Sequence, residues 1–578
     1  MDPMASCIQK YTVACSGGLE EKAFGGTIAK EFGLPFQVGE ILYSRNIDTL
    51  AKAEEFLWPQ LNMLPAPETM KGMREAVACI LAICNDNQPI FIHGDYDVDG
   101  ISATALLVSF FRELSRQTFF YIPNRLQENY GLSIESINRL MAQCPNQGGV
   151  LISVDCGISA VAEVAYARQR GLRVVITDHH EPQGMLPEAD ALIDPKQPGC
   201  NFSCDVLSGV GVAFYLLMAL RKAMSIQLNL KQYLDLVALG TVADVVPLTG
   251  INRIFVRAGL EVLSARHRPG LHSLCSCSGL AKREILSEDI AFKLAPRINA
   301  AGRLGYPEAG MALLLAKDMG ESRLAAGALE QMNNTRKQLE IKEIATAEAT
   351  CDEQVQAGKG GLIVYQPDCH AGVLGILASR LVERYQRPIL VFADDCKGKT
   401  EETIRGSGRS VKGINLFKVL ASCDHVIEQF GGHAMAVGLT LKRRNLERFT
   451  DVFDRYVGML QQDLYNMDHI MVDYRLFDAS MLTTSLAQGV QWLQPFGESN
   501  PEPVFLLAGQ QLIAPKKKNG HLMFHLQGQG QVFPGIGFHL ARPHLDMTKP
   551  TDVLFQLKRN WFRGVERSQI HALMLATT

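Results

Sequence analysis

The chain has 578 residues, too many for one hydrophobic core, and this length predicts several domains. Apolar residues make up 47% of the sequence and charged residues 20%, as in ordinary globular proteins. The net charge of −3 argues against a surface that coats nucleic acid uniformly. No apolar run reaches the length of a membrane span, and the first residues lack the basic-then-apolar pattern of a secretory signal.

The cysteines are typical of a reduced, cytoplasmic protein. Fourteen are present, and no two have the CxxC spacing. Cys200 with Cys204, and Cys275 with Cys277, lack the partner pairs that a zinc site requires. We therefore expect free thiols, most of them small buried apolar side chains, and a cytoplasmic location.

The first 180 residues predict an α/β domain preceded by an extension. Residues 1–47 give weak signals, and we expect them to pack on the residues that follow, which are mostly helical up to Asn85. Strand and helix patterns then alternate, with strands predicted over 88–93, 117–122, 149–154 and 172–177 and helices over 101–116, 133–143 and 158–170. The strands are continuous apolar runs, which is typical of a doubly wound parallel sheet covered on both faces.

The first of these strands runs directly into one imidazole and three carboxylates, those of His93, Asp95, Asp97 and Asp99. Such closely spaced like charges repel one another unless a cation lies among them. A calcium loop of the EF-hand type would need a glutamate at its twelfth position, where Leu106 stands, so we reject it. A solvated acidic turn is the alternative if this segment is considered alone.

Polar side chains also follow two further strands of the predicted sheet. Asp155 ends one strand, and Asp178, His179 and His180 end another. Ligands bind at the carboxyl ends of parallel strands, so three strands would bring acids and imidazoles to one edge. A fourth acid, Asp244, follows an apolar helical stretch, where a helix or turn cap is an equal alternative. Mixed oxygen and nitrogen ligands in this number fit two ions such as Mn²⁺, ~3.5–4 Å apart, which is the usual apparatus for phosphoester cleavage.

The second half of the chain predicts a helical connector, another α/β segment and a β module. Residues 311–355 are helical in pattern, and an α/β pattern occupies 356–465. Within it, the glycines of residues 405–409 (RGSGR) would let backbone amides approach a phosphate, although a plain turn is the alternative. Short strand patterns follow at 504–508, 522–526, 532–538, 553–557 and 570–575, which fit a small β-barrel. Residues 501–578 carry nine Lys/Arg against four Asp/Glu, which suits local nucleic-acid binding.

Taken in order, these motifs resemble those of the DHH phosphoesterases. The matching segments are 93–100, 155–157, 178–180, 240–248, 299–303, 406–410 and 431–433. The resemblance covers nearly the whole chain and is strongest to the bacterial single-strand-specific DNA exonucleases of this family. It implies an N-terminal extension at 1–47, a DHH catalytic domain at 48–310, a helical connector at 311–355, a DHH-associated substrate domain at 356–466 and an OB-fold at 467–578.

The resemblance also implies roles for single residues. Two divalent ions, Mn²⁺ or Mg²⁺, would be held by His93, Asp97, Asp99, Asp155, His179 and Asp244, with Asp155 bridging them and with Asp95 and Asp178 orienting the ligands. The residues that would act on the scissile phosphate or the nucleotide beside it are His180, Asn299, Arg303 and His433. The residues that would bind the substrate, including its terminal 5′-phosphate, are Arg125, Tyr130, Ser407 and Arg409.

Positive charges and flat rings in the terminal module predict a single-strand track. The expected nucleic-acid-binding residues are Lys516, Lys517, Lys518, Phe524, Trp561 and Arg563. For the lysine run, a solvated charged face is the alternative.

The resemblance implies an exonuclease that degrades single-stranded DNA from its 5′ end to mononucleotides, in DNA recombination and repair. It further implies a monomer with no membrane partner, assisted by a single-strand-binding protein and a helicase. A DHH phosphodiesterase for oligoribonucleotides or cyclic dinucleotides is one alternative, but it would leave the terminal β module without a purpose. A non-catalytic DNA-binding scaffold is another, but all the expected ligands are present.

Overall fold

The computed structural model describes residues 11–13, 19–128, 130–145, 148–281, 283–395, 402–461, 470–541, 546–562 and 565–577. The chain divides into two compact units. The first unit comprises Met1–Met63, Pro247–Ile254 and Asn466–Thr578, and the second comprises Leu64–Val246 and Phe255–Tyr465. Among the described residues, no helix is both long enough and apolar enough to cross a membrane.

The N-terminal part of the first unit consists of β1 (Tyr11–Val13), α1 (Leu19–Phe32), α2 (Phe36–Ser44) and α3 (Leu50–Leu57). Ile28, Ile41 and Leu57 of these helices are buried in one core with Phe505 and Phe555 from the other end of the chain. The sequence alone predicts packing on the residues that follow, but the larger part of this core comes from the C-terminal β module. The difference arises because the apolar faces of the helices complete a distant core, and local sequence carries no signal for such a partner.

The second unit begins with a parallel α/β layer. Its strands are β2 (Ile90–His93), β3 (Thr118–Tyr121), β4 (Gly149–Val154), β5 (Leu172–Thr177) and β6 (Ala191–Ile193). Its helices are α4 (Met73–Asn85), α5 (Val98–Glu113), α6 (Ile134–Met141), α7 (Val161–Gln169) and α8 (Gly209–Ala223). The strand order is β3-β2-β4-β5-β6, all parallel, and every residue of β2 and β4 is buried. This confirms the predicted doubly wound sheet.

The order of the strands determines where a ligand can bind. From β2 the chain crosses to β3 on one side and then to β4 on the other side, so the direction of winding reverses between β2 and β4. Open α/β sheets bind ligands in the crevice outside the carboxyl ends of the strands at such a reversal. The acidic segment after β2 and the acid after β4 therefore flank the crevice.

Helices complete this part of the second unit. They are α9 (Leu234–Ala243), α10 (Gly250–Ala265), α11 (Pro269–Cys277), α12 (Ser287–Asp289), α13 (Ala295–Arg303), α14 (Glu308–Leu314) and α15 (Met319–Gln356). Residues 250–254 of α10 belong to the first unit. Helix α9 is buried from Leu234 to Val242, which explains why its sequence is apolar on every face. Helix α15 supplies most of the predicted helical connector, and it begins at an N-cap, Asp318, whose carboxylate accepts two backbone N–H groups.

The second unit ends in a mixed sheet with its own helices. The elements are β7 (Leu362–Tyr365), α16 (Leu374–Tyr385), β8 (Ile389–Asp394), β9 (Thr403–Arg409), α17 (Leu416–Ser422), β10 (Gln429–Gly432), β11 (Ala436–Lys442) and α18 (Leu446–Gln461). The strand order is β10-β11-β9-β8-β7, with β7 and β8 parallel and the other pairs antiparallel.

The glycine-rich segment expected to be a phosphate loop is instead the interior strand β9. Its backbone pairs with β8 on one side and β11 on the other, so its amides belong to the sheet. A Cβ at Gly406 would lie 2.4 Å from Phe392, and one at Gly408 would lie 2.4 Å from Leu390. The glycines therefore allow close packing on the core, while the alternation of a strand places Ser407 and Arg409 together on the other face.

The C-terminal part of the first unit is a β module. Its elements are β12 (Ile470–Val472), β13 (Tyr474–Leu476), α19 (Thr484–Gln491), β14 (Phe505–Gln510), β15 (Ile513–Lys518), β16 (His521–Gln527), β17 (Val532–Gly537), β18 (Thr551–Phe562) and β19 (Val565–Thr577). The main sheet has the order β13-β14-β18-β19-β17-β16-β15. Along β16, Leu522, Phe524 and Leu526 are buried and the residues between them are exposed or half-buried, so one face is core and the other faces solvent.

Candidate metal centre

The turn from β2 into α5 is organised by backbone donors. Asp97 is the N-cap of α5, and its Oδ1 accepts the N–H of Asp99 at 2.9 Å, which is why the helix begins three residues earlier than expected. Asp99 Oδ2 accepts the N–H of Gly209 at 2.6 Å, and its Oδ1 accepts that of Val210 at 3.0 Å. These donors form the N-terminus of α8, which favours an anion. The backbone therefore fixes two carboxylates, while Asp95 Oδ1 is buried without a hydrogen-bond partner.

His179 lies beside two further acids. The backbone carbonyl of Leu207 is 2.9 Å from its Nδ1 and can only accept, so Nδ1 carries the proton and Nε2 presents a lone pair. That Nε2 atom is 3.0 Å from Asp155 Oδ1, and Asp244 Oδ2 is 3.7 Å from Nδ1. An imidazole lone pair and an ionised carboxylate at this distance repel each other unless a proton or a metal ion is shared between them.

Asp178 has the contacts of an orienting group. Its Oδ1 accepts the N–H of His179 at 2.8 Å and lies 2.7 Å from His180 Nδ1, and its Oδ2 accepts the N–H of Ile158 at 2.9 Å. Burial alone would raise the pKa of Asp178, but the hydrogen bond and charge of His180 bring that pKa below its usual value. His180 Nε2 lies 3.2 Å from the Tyr130 hydroxyl, at the more exposed end of the cluster.

The acids of the cluster resist ionisation together. Burial, followed by the charges of neighbouring carboxylates, raises the pKa of Asp99 to about 7 and that of Asp244 to about 9. The same causes raise the pKa values of Asp95 and Asp155 well above the usual range. Burial lowers the pKa of His179 to about 3, so its ring is neutral at physiological pH. Without a cation, keeping these carboxylates charged raises the free energy of the folded state.

The side chains form three overlapping groups that fit metal ions. Within each group the ligand atoms lie within 4.8 Å of one another, and the groups are Asp155/His179/His180, Asp99/His179/Asp244 and Asp95/Asp97/Asp155. Four buried atoms in them lack hydrogen-bond partners among the described residues: Asp95 Oδ1, Asp155 Oδ1, His179 Nε2 and Asp244 Oδ2. Carboxylates mixed with neutral imidazoles suit Mn²⁺ and related divalent ions. Asp155 and His179 each belong to two of the groups.

The structure differs from the sequence-based ligand set at two positions. His93 is in none of the three groups, because its ring nitrogens face Ser136 Oγ at 2.9 Å and Cys156 Sγ at 3.7 Å. Asp95, expected only to orient ligands, lies in a group and has a buried oxygen without a hydrogen bond. The spacing Asp95-x-Asp97-x-Asp99 makes Asp95 a possible ligand in the sequence. The direction of each side chain in the turn, however, depends on hydrogen-bond donors that are distant in the sequence.

Two glycines that the sequence did not single out as site residues make room for the acids. A Cβ at Gly209 would lie 2.6 Å from Asp155 Oδ1, and one at Gly240 would lie 2.5 Å from Asp99 Oδ1. Both glycines stand in helices, where their own backbone does not require glycine. Their role is therefore close packing against the carboxylates.

A group of arginines lies in the same unit as the acids. Burial, together with the guanidinium groups of Arg125 and Arg409, lowers the pKa of Arg303 to about 9. Burial and Arg125 also lower the pKa of Arg409. The Arg125 guanidinium is 5.0 Å from the ring centroid of Tyr96, and Arg125 moderates the raised pKa of Asp95, so this group is adjacent to the acid cluster. Gathered positive charges of this kind favour a bound anion.

The remaining substrate-site candidates lie on nearby elements of the second unit. Arg409 donates to the Gly408 carbonyl at 2.8 Å and to Ser407 Oγ at 3.4 Å. Arg303 donates to the Gly372 carbonyl at 3.3 Å. Asn299 precedes Arg303 by one turn of α13, and exposed His433 lies in the turn between β10 and β11.

The terminal module supports only part of the expected single-strand track. Residues 516–518 are exposed lysines on β15, the edge strand of the sheet. Phe524 is only 1% exposed and packs in the core, so it does not stack on a base, because the register of β16 turns this ring inward. Trp561 is on β18, but its side chain lies outside the described part of the chain, as does Arg563.

Removing metal from this cluster should make the stability of the protein depend on pH. In the metal-free fold the carboxyls of Asp99 and Asp244 keep their protons up to about pH 7 and 9, whereas the unfolded chain loses them near pH ~4. The folded state therefore binds more protons in this window, and the free energy of unfolding falls as pH rises through it. We expect the Tm of chelator-treated protein to fall from about pH 5 to 9.

Calorimetry with and without Mn²⁺ checks this expectation. The Tm increase on adding Mn²⁺ should be largest at the alkaline end, where the carboxylates are most strained without a cation. A Tm that is the same with and without Mn²⁺ at alkaline pH would contradict a metal centre in this cluster.

Comparison with known proteins agrees with these features. Family models match in order: the DHH family N-terminal domain at residues 89–241, the DHHA1 domain at 358–459 and the RecJ OB domain at 473–573. The single-stranded-DNA-specific exonuclease RecJ of Salmonella typhimurium is 36% identical over 533 residues, which cover 88% of this chain and 90% of that protein. The last family model confirms the OB-fold prediction for the terminal module.

Solved structures extend the comparison to three dimensions. RecJ from Thermus thermophilus in complex with Mn²⁺ matches with a TM-score of 0.83 and 27% identity, covering 98% of this chain and 80% of that one. Its complex with Mg²⁺ matches with a TM-score of 0.77 and 26% identity, covering 98% and 78%. Since the sequence identity extends over most of both chains and the three domain models match in order, this chain belongs to the RecJ family of DHH phosphoesterases.

Proposed function

We propose that this chain is a metal-dependent exonuclease that degrades single-stranded DNA from its 5′ end and releases 5′-mononucleotides, in DNA recombination and repair. The observation that carries the proposal is the adjacency, within one compact unit, of an acid–imidazole cluster that fits divalent ions and a half-buried group of arginines. Phosphodiester hydrolysis needs positive charge on both sides of the reacting phosphate. The single-strand specificity named for the relatives supports the choice of substrate.

The acid cluster has a defined task in this reaction. Divalent cations held there would supply charge to the attacking and leaving oxygens. Asp155 would serve both cations, while Asp97 and Asp99 keep fixed positions because backbone N–H groups hold them. The requirement for preorganised ligands is thus met by the N-termini of α5 and α8.

His180 would contact the scissile phosphate. Although burial lowers its pKa, the Asp178 carboxylate 2.7 Å from Nδ1 raises that pKa above the usual value. The raised pKa favours an imidazolium whose Nε2–H donates to a phosphate oxygen in place of its present partner, the Tyr130 hydroxyl. Substrate binding would then move Tyr130 from His180 to the nucleotide.

Asn299 and Arg303 would stabilise the charge that develops on the phosphate oxygens. They are four residues apart on α13 and so project from one face of the helix. The pKa of Arg303, about 9, still leaves its guanidinium charged at neutral pH. A charge that is already partly desolvated interacts strongly with an incoming phosphate. His433 would contact the same nucleotide.

Arg125, Ser407 and Arg409 would select the 5′ end. A terminal phosphate monoester carries more negative charge and one more free oxygen than an internal diester. Two guanidiniums near each other, with a hydroxyl 3.4 Å from one of them, provide matching charge and donors. Occupation of this site would fix which phosphodiester bond reaches the metal cluster and would therefore set the polarity of the enzyme.

The exposed lysines of β15 would hold the single strand by phosphate contacts. Replacing Lys516, Lys517 and Lys518 together by alanine should weaken binding of single-stranded DNA and leave the rate of the chemical step unchanged. Each lost contact should make the log–log dependence of affinity on salt shallower by ~0.7, so three contacts would reduce the slope by ~2. Fluorescence anisotropy titrations at several salt concentrations measure this slope.

The matched control for that triple variant is Lys549→Ala, which removes an exposed positive charge from the same unit. It should retain the wild-type slope. An unchanged slope in the triple variant would show that the lysine run is only a solvated face.

We further propose that the enzyme acts as a cytoplasmic monomer that receives single strands from a helicase and a single-strand-binding protein. The free cysteines of the described residues and the single-strand specificity named for the relatives support this setting. Sedimentation of the purified chain, and pull-down with those two partners, test the two parts separately.

The direct test of the function uses DNA labelled at either end. Single-stranded DNA with a 5′ or a 3′ label is incubated with the protein and Mn²⁺ or Mg²⁺, beside the matching duplex. The expected result is immediate release of the 5′ label as a mononucleotide, gradual shortening of the 3′-labelled strand, and an intact duplex. Equal release from both ends, or cleavage of dinucleotides alone, would overturn the proposal in favour of a different nuclease or a small-substrate phosphodiesterase.

A further inference from the structure

We infer that His93 is a positioning residue: it holds Cys156, and through Cys156 it fixes the backbone of the adjacent Asp155, which the proposed metal centre uses. The inference rests on that proposed centre and assigns His93 a role different from that of a ligand. His93 ends β2 and Cys156 follows β4, and these strands are neighbours in the sheet. Both side chains are buried, with 0% and 1% exposure.

The hydrogen bonds around His93 account for both of its ring nitrogens. Ser136 Oγ donates its one proton to the carbonyl of Ser133 at 2.8 Å and accepts the N–H of Ser133 at 3.0 Å. Its remaining lone pair faces His93 Nε2 at 2.9 Å, so Nε2 carries the ring proton. Nδ1 is then an acceptor, and Cys156 Sγ lies 3.7 Å from it, within reach of an S–H donor.

The opposite tautomer leads to the same conclusion. If Nδ1 carried the proton, it would donate to Cys156 Sγ, and Nε2 would accept from the Ser136 hydroxyl. In either case both nitrogens of His93 are used within the β2–β4–α6 region. The ring therefore has no nitrogen left for the ion cluster, and its contact with the cluster passes through Cys156.

Asp155 needs such support because its backbone is left-handed. Its φ is +61°, a region that residues other than glycine rarely adopt without being held by their surroundings. Its N–H donates to the Thr177 carbonyl at 3.0 Å, and its carbonyl accepts the Tyr130 hydroxyl at 3.2 Å. The Cys156 side chain is the anchor on the C-terminal side, and His93 is the polar group that fixes its orientation.

The contact between His93 and Cys156 helps to keep the Asp155 carboxylate in position. The Asp155 carboxylate fits against Gly209 with no room for a Cβ and is 3.0 Å from His179 Nε2. A small rotation of the backbone at this residue would move the carboxylate out of both ligand groups to which it belongs. Loss of the His93–Cys156 contact should therefore weaken metal binding without removing a ligand.

The test is a double-mutant cycle in the full-length protein with His93→Ala and Cys156→Ala, and with His93→Asn as the conservative variant. Asparagine keeps an acceptor near the position of Nδ1. Isothermal titration with Mn²⁺ gives the stoichiometry and the Kd. The part of the infrared S–H stretching band that is lost in Cys156→Ala reports the thiol contact in the metal-free protein. Circular dichroism melts measure the stability of each variant.

The expected result is unchanged Mn²⁺ stoichiometry with a Kd raised ~10- to 100-fold in either alanine variant, no further loss in the double variant, and partial rescue by His93→Asn. The S–H band of the metal-free protein should shift in both His93 variants. Additive losses, or one ion fewer in His93→Ala, would overturn the inference and make His93 a ligand. Lower melting temperatures with an unchanged Kd would overturn it in favour of a purely structural role.

Failure of the proposed function gives a different pattern from failure of this inference. If the wild-type protein bound no Mn²⁺ at all, the metal centre would be wrong, while the infrared band would still report whether His93 holds Cys156. If the wild type bound Mn²⁺ but the band did not respond to His93→Asn or His93→Ala, the centre would stand and the positioning role would fall. If His93→Ala does not fold, the Kd for Mn²⁺ is measured on Cys156→Ala, which is a smaller change.

Discussion

Asp155→Ala is expected to abolish DNA cleavage while the protein remains folded. Asp155 belongs to two of the three ligand groups and is the proposed bridge, so its loss would disturb both of the proposed ions at once. The pKa of this carboxyl is raised well above its usual range by burial and by neighbouring acids, so the metal-free fold gains stability when the group is removed. We therefore expect a higher Tm in the metal-free variant, with cleavage below a few per cent of the wild-type rate.

The measurement combines single-turnover cleavage of 5′-labelled single strands with metal analysis and calorimetry. Asp205→Ala, which removes an exposed carboxylate from the same unit, is the matched control and should behave like the wild type. A variant at Asp155 that retained substantial activity and normal metal content would show that the two-ion assignment is wrong.

Arg409→Ala is expected to reduce cleavage of 5′-phosphorylated DNA much more than cleavage of 5′-hydroxyl DNA. The Arg409 guanidinium is half-buried near Arg125, and burial and this like charge lower its pKa. A charge-assisted hydrogen bond contributes roughly 1.5–3 kcal/mol, so losing one should cost ~10- to 100-fold in preference for the phosphorylated end. Comparing kcat/KM for the two substrates measures that preference directly.

Arg448→Ala is the control for Arg409→Ala, since it removes an exposed guanidinium from the same unit. It should affect both substrates equally and only slightly. If Arg409→Ala also lowered both rates by the same factor, Arg409 would serve general backbone binding or structure, and end recognition would lie elsewhere.

The two predictions test opposite halves of one electrostatic arrangement. Burial and neighbouring carboxylates raise the pKa values of Asp155 and Asp244, and burial and neighbouring guanidiniums lower those of Arg303 and Arg409. A phosphate with its divalent ions would relieve both strains together, so metal and DNA should bind with positive cooperativity. This coupling would also make the metal-free enzyme a poor binder of the 5′ end.

The sequence by itself determined the alternation of strands and helices, the parallel sheet and the positions of the acids at strand ends. Continuous apolar runs such as β4 are possible only where both faces are buried, and a polar residue after such a run must lie at the edge of the sheet. The pattern therefore led to Asp97, Asp155 and His179 without tertiary information. The ordered motifs likewise led to the family, because several specific segments in one order rarely coincide.

Only the tertiary structure decided which side chains face the cluster and which elements share a core. His93 turns to Ser136 on α6, and Asp95 Oδ1 is left without a hydrogen-bond partner, because groups distant in sequence determine the direction of the side chains. The glycines of β9 pack against the core because β8 and β11 pair with this strand on either side. Phe524 points inward because the register of β16 places it on the buried face. The local sequence pattern specifies which residues share a face of a strand or helix. Long-range strand pairing and packing decide which way that face points, and therefore what each side chain can contact.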